Sequence, residues 1–309
     1  MKKILIFVLL FAVLFSFTGC EGYREIDSEY LVSAICFDKK GNKFWAFAEV
    51  MAISTEKKDT KSKVFDSEGK TPYEAVNNIA SLLPRAAVFD HCGTAIIGES
   101  IMGDDLKTIM KYLYDTKNLN LGIYIFVSDD IKKLLDCESQ ALSVGYDIMA
   151  VVSNIEKTSG IRFKNKYYEI ESRIIANGAF CLPVAESKED RPCITGQTVF
   201  VDYIPQTKLG KSEAAFYNLL YSGSRGGAIS VSGKRCRVNK ISAHLSQKSD
   251  LLSVRIKCDY RNKNDKKNGE IEKEIKKLLN KLKGTAALKP LGVTEKADII
   301  SVVVNGNEK

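Results

Sequence analysis

The sequence predicts an α+β protein of three successive small α/β domains, each a mixed sheet packed with helices, that follow a lipoprotein signal peptide. Three observations support this fold class. Segments rich in Val, Ile, Phe and Tyr alternate with segments of helical periodicity. The first two β-rich segments are expected to pair as an antiparallel hairpin, so the sheet should be mixed. The roughly 290 residues after the signal exceed what one hydrophobic core usually organises.

The N-terminal segment has the pattern of an export signal. Two lysines at positions 2 and 3 precede an uncharged run over 4–19, and polar sequence begins at Glu21. The junction Thr18-Gly19-Cys20 resembles the lipobox of bacterial lipoproteins, in which the cysteine is acylated before cleavage. We therefore predict a signal peptide over 1–19 and lipid attachment at Cys20. An uncleaved anchor helix and an ordinary secretory cut near Cys20 are the alternatives.

A tether over 20–28 leads into a predicted N-terminal α/β domain over 29–181. The segments at 29–38 and 43–54 are β-rich and separated by Lys-Lys-Gly-Asn, which predicts the hairpin. A capping box opens the first helix, with Thr71 as N-cap and Glu74 three residues later. Helices are predicted over 71–83, 104–115, 141–156 and 166–176, and further strands over 94–99 and 121–128.

The stretch over 182–193 contains two prolines and five charged residues, which favours an interdomain linker. A small middle α/β domain is predicted over 194–235 and a C-terminal α/β domain over 236–309. The middle domain should contain a strand near 194–203, a helix near 211–221 and a strand that follows the glycine cluster in the stretch 223–231. The C-terminal domain should contain strands at 238–246, 251–260 and 297–305 and a helix from about 270 to 283.

Composition limits the partners and the redox chemistry. The formal net charge of +8 falls further when the two lysines of the signal are removed, which suits an anionic membrane surface but not nucleic-acid binding. Seven cysteines follow Cys20 without a C-x-x-C pair, so most are expected to be small buried hydrophobes. A disulfide between Cys181 and Cys193 is the alternative for that pair.

The sequence offers little catalytic chemistry. His91 and Cys92 are adjacent, and adjacent side chains on an extended segment point to opposite faces, which disfavours a nucleophile–base pair. We expect His91 to be a hydrogen-bonded structural histidine. His244 is the only other histidine, so no metal site and no cofactor are expected. The chain is predicted not to be an enzyme.

The lysine-rich helix over 269–284 has one apolar face. That face is expected to pack on the sheet of the C-terminal domain, because strands flank the helix on both sides. The alternative is a helix that lies on a membrane surface.

The run over 67–101 resembles the C-subunit lipoproteins of spore germinant receptors. The positions that carry the resemblance are Ser67, Gly69, Thr71, Glu74, Ala75, Asn78, Arg85, Phe89, His91, Ile97, Gly98 and Glu99. The lipobox and the strand that ends at Asp38 also look like the family's mature start, and residues 194–223 are similar to its second domain. The stretch after Cys236 is shorter than the family's third domain, which leaves open a full subunit and a reduced paralogue.

The resemblance implies three α/β domains and a lipid anchor on the outer face of the spore inner membrane. It also implies partnership with two integral-membrane receptor subunits that sense nutrients, and no catalysis. The motif residues are expected to be structural or to contact partners. A solute-binding lipoprotein of a transporter is the competing interpretation, although such proteins usually have two similar lobes.

Overall fold

The computed structural model describes most of the chain. The described residues are 29–52, 62–117, 119–159, 162–222, 227–248, 250–260, 264, 266–283, 285–293 and 299–308. The predicted signal peptide, the tether and Cys20 lie outside the described residues, as do residues 223–226 of the glycine cluster. The predictions for these segments therefore stay predictions.

A nine-stranded mixed sheet organises the first two thirds of the chain. Its strands are β1 (Glu29–Lys40), β2 (Lys43–Ala52), β3 (Lys63–Gly69), β4 (Ala86–Val88), β5 (Thr94–Gly98), β6 (Tyr124–Ser128), β7 (Ala179–Lys188), β8 (Arg191–Val201) and β9 (Ile204–Gly210). The order is β3-β2-β1-β5-β6-β7-β8-β9, and β4 pairs with β1. The hairpin β1–β2 is antiparallel and β1, β5 and β6 are parallel, so the predicted mixed sheet is confirmed.

Helices cover both faces of this sheet. They are α1 (Pro72–Ala80), α2 (Asp104–Asp115), α3 (Ile131–Leu135), α4 (Val144–Ser159) and α5 (Tyr167–Asn177). The first, second and fifth pack on one face, and α3 and α4 pack on the other. Every residue of the central strand β5 is buried, because apolar side chains of alternate residues meet helices on both sides.

A buried carboxylate fixes the start of α4. Glu49 on β2 is fully buried, and its two oxygens accept hydrogen bonds from the backbone N–H groups of Val144 and Gly145 over 2.8 and 2.9 Å. The hydroxyls of Ser33 and Ser62 donate to the same carboxylate over 2.9 and 2.8 Å. An anion at a helix N-terminus satisfies the free N–H groups and complements the helix dipole.

A second, four-stranded sheet forms the C-terminal part. Its elements are α6 (Lys211–Ser222), β10 (Gly227–Val231), β11 (Lys234–Lys248), β12 (Leu251–Tyr260), α7 (Asn268–Leu282), a 3₁₀ helix (Ala286–Leu291) and β13 (Ile299–Glu308), with strand order β10-β11-β12-β13. The predicted apolar face of α7 is buried in this core; it comprises Ile271, Ile275, Leu278, Leu279 and Leu282. The prediction that this helix packs on the sheet is therefore confirmed, and its apolar face is not available to lie on a membrane surface.

The linker predicted over 182–193 is wrong. This stretch belongs to the antiparallel hairpin β7–β8, whose strands pair from Ala179 opposite Val201 to Lys188 opposite Arg191. The charged residues gather at the tip, where Glu189 and Asp190 have φ angles of 52° and 56°. Positive φ at both central residues suits a tight two-residue hairpin turn, so the polar cluster marks a turn rather than a domain boundary.

The predicted middle domain has no sheet of its own. Strands β8 and β9 extend the first sheet, and the buried residues of α6 pack in the same cluster as the second sheet. Cys181 and Val199, from the first sheet, belong to that cluster too. The first sheet therefore continues past residue 194, where the middle domain was predicted to begin. The local sequence pattern predicts strands but does not show which strands pair with one another. No helix in the described ranges is both long and apolar enough to cross a membrane.

Candidate partner-contact surface

Three motif residues fix α1 on the edge strand β3. The backbone N–H of Glu74 donates to Thr71 Oγ1 over 3.1 Å, and the Glu74 carboxylate accepts from the backbone N–H of Lys70 over 2.8 Å. The predicted N-cap at Thr71 is thus confirmed, but the reciprocal bond of a capping box is not formed, because Glu74 accepts from Lys70 and not from the N-cap residue itself. The Asn78 amide donates to the carbonyl of Glu68 over 2.9 Å. These contacts make the motif at this end a structural junction.

Gly69 is required by the close approach of the same helix. A Cβ atom at this position would overlap the backbone nitrogen of Ala75 and meet the carbonyl carbon of Glu74 at 2.8 Å. Backbone atoms of a packed helix cannot move aside as a flexible side chain can. The glycine of the motif is therefore explained by helix packing and not by a ligand.

Arg85 and Phe89 lie on either side of the short strand β4. The Arg85 guanidinium lies 5.5 Å from the ring centroid of Tyr30, a cation–π distance, and Phe89 packs against the core beneath α1 and α2. Phe89 also contributes to a surface groove beside these helices. The two motif residues thus connect the core of the sheet with its helical face.

His91 and Cys92 point to opposite sides, as their adjacency predicts. The Cys92 thiol is buried and donates to the carbonyl of Thr94 over 3.6 Å, whereas the His91 side chain is exposed. Burial raises the pKa of Cys92 to about 12, which keeps the thiol protonated and a poor nucleophile. This geometry does not bring a thiolate and a base together.

The prediction of a hydrogen-bonded imidazole at His91 is wrong. Only its backbone carbonyl is engaged, by the hydroxyl of Tyr146 over 3.1 Å, and no side-chain partner is present among the described residues. The inward position of this turn belongs to Cys92, so the neighbouring imidazole faces solvent. An exposed histidine in the motif has no role in packing.

Gly98 ends strand β5 near the end of β1, and Glu99 follows it directly. A Cβ on Gly98 would overlap the carboxylate of Asp38, which accepts from the Ser100 hydroxyl over 2.5 Å. Glu99 forms an ion pair with Lys208 of β9 over 2.5 Å. The motif residues therefore follow β3, α1, β4 and β5 in succession and do not converge on one reaction centre.

An apolar groove of about 630 Å³ lies between helices α1 and α2. Its lining includes Tyr73, Ala80, Leu83, Phe89 and Tyr112. The Tyr73 side chain is 65% exposed although it stands in the first turn of α1. Phe89, a motif residue, therefore lines a surface groove that is wide enough to accept side chains of a partner.

A second groove of about 730 Å³ lies on the other side of α2, against α5. Its apolar rim is unusually open, with Ile175 83%, Tyr114 63% and Tyr168 53% exposed. Lys107 and Lys111 of α2 face the groove from one side and Glu171 of α5 contributes a carboxylate. The groove therefore offers an apolar seam with charges at its margins.

Exposed apolar side chains concentrate on this side of the first sheet, which we call the α1–α2–α5 face. Large exposed apolar patches mark interaction surfaces more often than isolated residues do. The sequence analysis missed this face, because only the buried stripe of each helix was used to find the helices. The available signal was the presence of Tyr114 and Ile175 off the buried stripes of α2 and α5.

The cysteines behave as the sequence predicts, with one exception. Six of the seven described cysteines are buried, Cys193 is partly exposed, and all seven are free thiols. Cys181 lies opposite Val199 and Cys193 opposite Glu186 in the β7–β8 hairpin, so the possible disulfide between them is not formed. Within the described ranges, no group of three or more His, Cys, Asp or Glu side chains is placed to hold a metal ion.

Comparison with known families decides the membership of the chain. The family model described as "Spore germination protein N-terminal domain" matches residues 22–187, more than half of the sequence. The chain belongs to this spore germination protein family. The family resemblance predicted from the motif over 67–101 is thereby confirmed.

This spore germination protein also has a match among solved structures. A solved structure entitled "Crystal Structure of the GerBC protein" aligns with a TM-score of 0.46 and 10% identity, over 89% of this chain and 96% of that chain. The comparison with curated proteins finds no match.

Proposed function

We propose that this spore germination protein is a non-catalytic, lipid-anchored C subunit of a germinant receptor. It is held on the outer face of the spore inner membrane and supports nutrient-triggered germination through contacts with two integral-membrane subunits. The observation that carries the proposal is the match of the family model over residues 22–187. The order of motif residues from Gly69 to Glu99, within the matched region, supports the same conclusion.

The sequence at the junction of residues 19 and 20 supports the anchor. An apolar run without charges ends at Gly19, and Cys20 is followed by polar sequence. One acyl chain holds a protein at a bilayer only marginally, whereas two chains anchor it stably. Acylation of Cys20 with a diacylglyceryl group would therefore keep the folded part at the membrane surface, where integral-membrane partners are reached at high effective concentration.

The α1–α2–α5 face supports the proposed contact with partners. Its exposed aromatic and aliphatic side chains include Tyr114, Tyr168 and Ile175. Their burial against a partner would stabilise the complex, because water is excluded from apolar surface. Tyrosines lose little side-chain entropy on binding and are common at the centre of interfaces. The two grooves on either side of α2 would accept apolar side chains of a receptor subunit.

The transporter interpretation is less well supported by the architecture. A solute-binding lipoprotein is expected to have two similar lobes around a cleft. The sheets of this chain have nine and four strands and different strand orders, so they are not duplicates. The proposal of a receptor subunit needs no such duplication.

Deletion of the gene tests the proposal. Spores without the protein should form normally but lose germination with one class of nutrient, while germination by calcium dipicolinate should be unaffected because it bypasses nutrient receptors. Reintroduction of the native gene should restore the response. Normal germination with every nutrient, together with failure to take up a solute, would show that the protein serves a transporter instead.

A further inference from the structure

One face of the second sheet is covered and the other is open. Helix α7 packs on the covered face, where Cys236, Val254, Ile256 and Cys258 are buried. The alternate residues of β11 and β12 point to the opposite face and are exposed. No helix among the described residues covers that face, which we call the open face.

The open face is strongly basic. Six of its exposed side chains on β11 and β12 are cationic: Lys248 at the end of β11, and a group of five that comprises Arg235, Arg237, Lys240, Arg255 and Lys257. The one carboxylate described on it is Asp259, which stands opposite Lys240 in the strand register. His244 stands opposite Arg255. Positive charge is therefore concentrated on one side of a rigid sheet.

Most of these cations have uncharged neighbours across the strands. Arg237 stands opposite Ala228, and Arg235 opposite Ser230. Lys257 stands between Ser242 and Asn305. Within the described residues, none of the five cations takes part in a salt bridge. Like charges that share a sheet face repel one another, so an external anion would stabilise the face.

The shape and composition of the open face favour the anionic surface of a lipid bilayer as its binding partner. A four-stranded sheet presents a broad surface, which suits the plane of headgroups at a bilayer surface better than it suits an extended peptide. No Phe, Tyr or Trp occurs among the described residues of this face, so it lacks the stacking platform that binds single-stranded nucleic acid. Exposed Val303 and Leu251 lie beside the cations, as apolar residues do at membrane interfaces.

We propose that the open face of the second sheet, through Arg235, Arg237, Lys240, Arg255 and Lys257, binds the anionic phospholipid headgroups of a membrane. Basic side chains near such a surface each strengthen the attraction. The contact would be a second attachment in addition to the acyl anchor, and it would orient the folded part. It extends the membrane location of the proposed function, but the test below requires neither the anchor nor a receptor.

Vesicle binding tests the proposal directly. The protein beginning at Glu21, which keeps every residue that the structure describes and lacks Cys20, is mixed with vesicles and recovered by flotation. It should bind vesicles of mixed phosphatidylglycerol and phosphatidylcholine but not vesicles of phosphatidylcholine alone. Added salt should release it, because screening weakens attraction between exposed charges. Absence of binding to the anionic vesicles would overturn the proposal.

Matched variants separate this face from the net charge. The set Arg237→Gln, Arg255→Gln and Lys257→Gln should weaken binding roughly tenfold or more. The set Lys132→Gln, Lys133→Gln and Lys157→Gln removes the same charge from exposed positions of α3 and α4 and should bind like the native protein. Equal loss in both sets would overturn the proposal.

Two further measurements complete the test. The set Arg237→Lys, Arg255→Lys and Lys257→Arg keeps the charges, and should bind normally even if the glutamine set fails to fold. Loss of vesicle binding in this set would argue against a charge-based contact. Soluble polyglutamate serves as a competitor of a different class. Binding to polyglutamate without binding to anionic vesicles would identify an acidic protein as the partner and overturn the lipid proposal.

Discussion

The carboxylate of Glu49 accepts a hydrogen bond from the backbone N–H of Gly145 over 2.9 Å, although 96 residues separate them. The contact joins β2, in the opening hairpin, to the first turn of α4. Gly145 permits it, because a Cβ there would lie 2.8 Å from the Cβ of Ala34. The buried acid adds to the local N-cap, in which Ser143 Oγ accepts from the backbone N–H of Tyr146 over 3.3 Å, and it ties one face of the sheet to its covering helix.

Replacement of Glu49 should destabilise the fold. Glu49→Ala removes the acceptor of two helix N–H groups and two hydroxyls, so we expect the free energy of unfolding to fall by roughly 3 kcal/mol. Urea denaturation followed by circular dichroism measures the change. Glu138→Ala, an exposed glutamate on the surface, should change stability by less than about 0.5 kcal/mol. Equal effects of the two substitutions would contradict the assigned role of Glu49.

The junction between β3 and α1 should respond to two substitutions in different ways. Thr71→Ala removes one capping hydrogen bond and should cost about 1 kcal/mol of stability. Gly69→Ala forces a Cβ against the helix backbone, so it should cost more than Thr71→Ala and shift the unfolding midpoint further. Thermal unfolding of the two variants decides the order. A Gly69→Ala protein as stable as the native one would show that α1 does not approach the strand so closely.

Alkaline pH should destabilise the protein through its buried thiols. Burial raises the pKa of Cys92 and Cys181 from 9.0 to about 12 in the folded state. Above pH 9.0 the folded protein therefore keeps protons that the unfolded chain releases. The contribution of these thiols to the free energy of unfolding is complete below pH 9.0 and is lost as the pH rises towards 12. Each thiol contributes up to about 1.4 kcal/mol per pH unit in this window.

Urea titrations at several pH values from neutral to alkaline measure this dependence. Cys92→Ala should reduce the slope above pH 9.0, because it removes one of the groups that titrate. A partly exposed cysteine such as Cys193 provides the control, since Cys193→Ala should alter the slope less. Stability that stays constant through the alkaline range would contradict the burial of these thiols.

Substitutions on the α1–α2–α5 face should weaken receptor assembly without unfolding the protein. Tyr114 and Tyr168 are more than half exposed, so Tyr114→Ser with Tyr168→Ser should leave the melting temperature nearly unchanged. Recovery of receptor subunits with the tagged protein from spore membranes should fall at least about tenfold. Leu142→Ser is the matched control, because Leu142 is 58% exposed on the opposite side of the sheet. A loss of recovery with the control as well would refute a specific role for this face.

The lipid anchor can be tested at Cys20. Cys20→Ala should abolish incorporation of labelled fatty acid and release the folded protein from membranes washed with carbonate, because the alkaline wash also removes proteins held by charge. Cys193→Ala, a distant cysteine, should leave the labelling intact. A Cys20→Ala protein that withstands the wash would indicate an uncleaved anchor helix.

Local sequence patterns predicted much of the secondary structure. The helix at 104–115 and the strand at 251–260 match the structure residue for residue, since their periodicity or alternation extends over their whole length. The short strand β4 and the five-residue helix α3 were missed because such short segments carry too little periodicity. The charged hairpin tip at 189–190 was mistaken for a linker, because turns and linkers share polar residues.

The sequence by itself determined the export and lipobox pattern, the capped helix at Thr71, the buried face of α7 and the family motif. Each is written in consecutive residues or in a short period, so no distant contact is needed to recognise it. Tertiary structure alone decided that β8 and β9 extend the first sheet, that Glu49 caps a helix 95 residues away from it at Val144, and that five cations share one open face. These relationships depend on strand order and register, which follow from the burial of apolar faces across the whole chain rather than from any local segment.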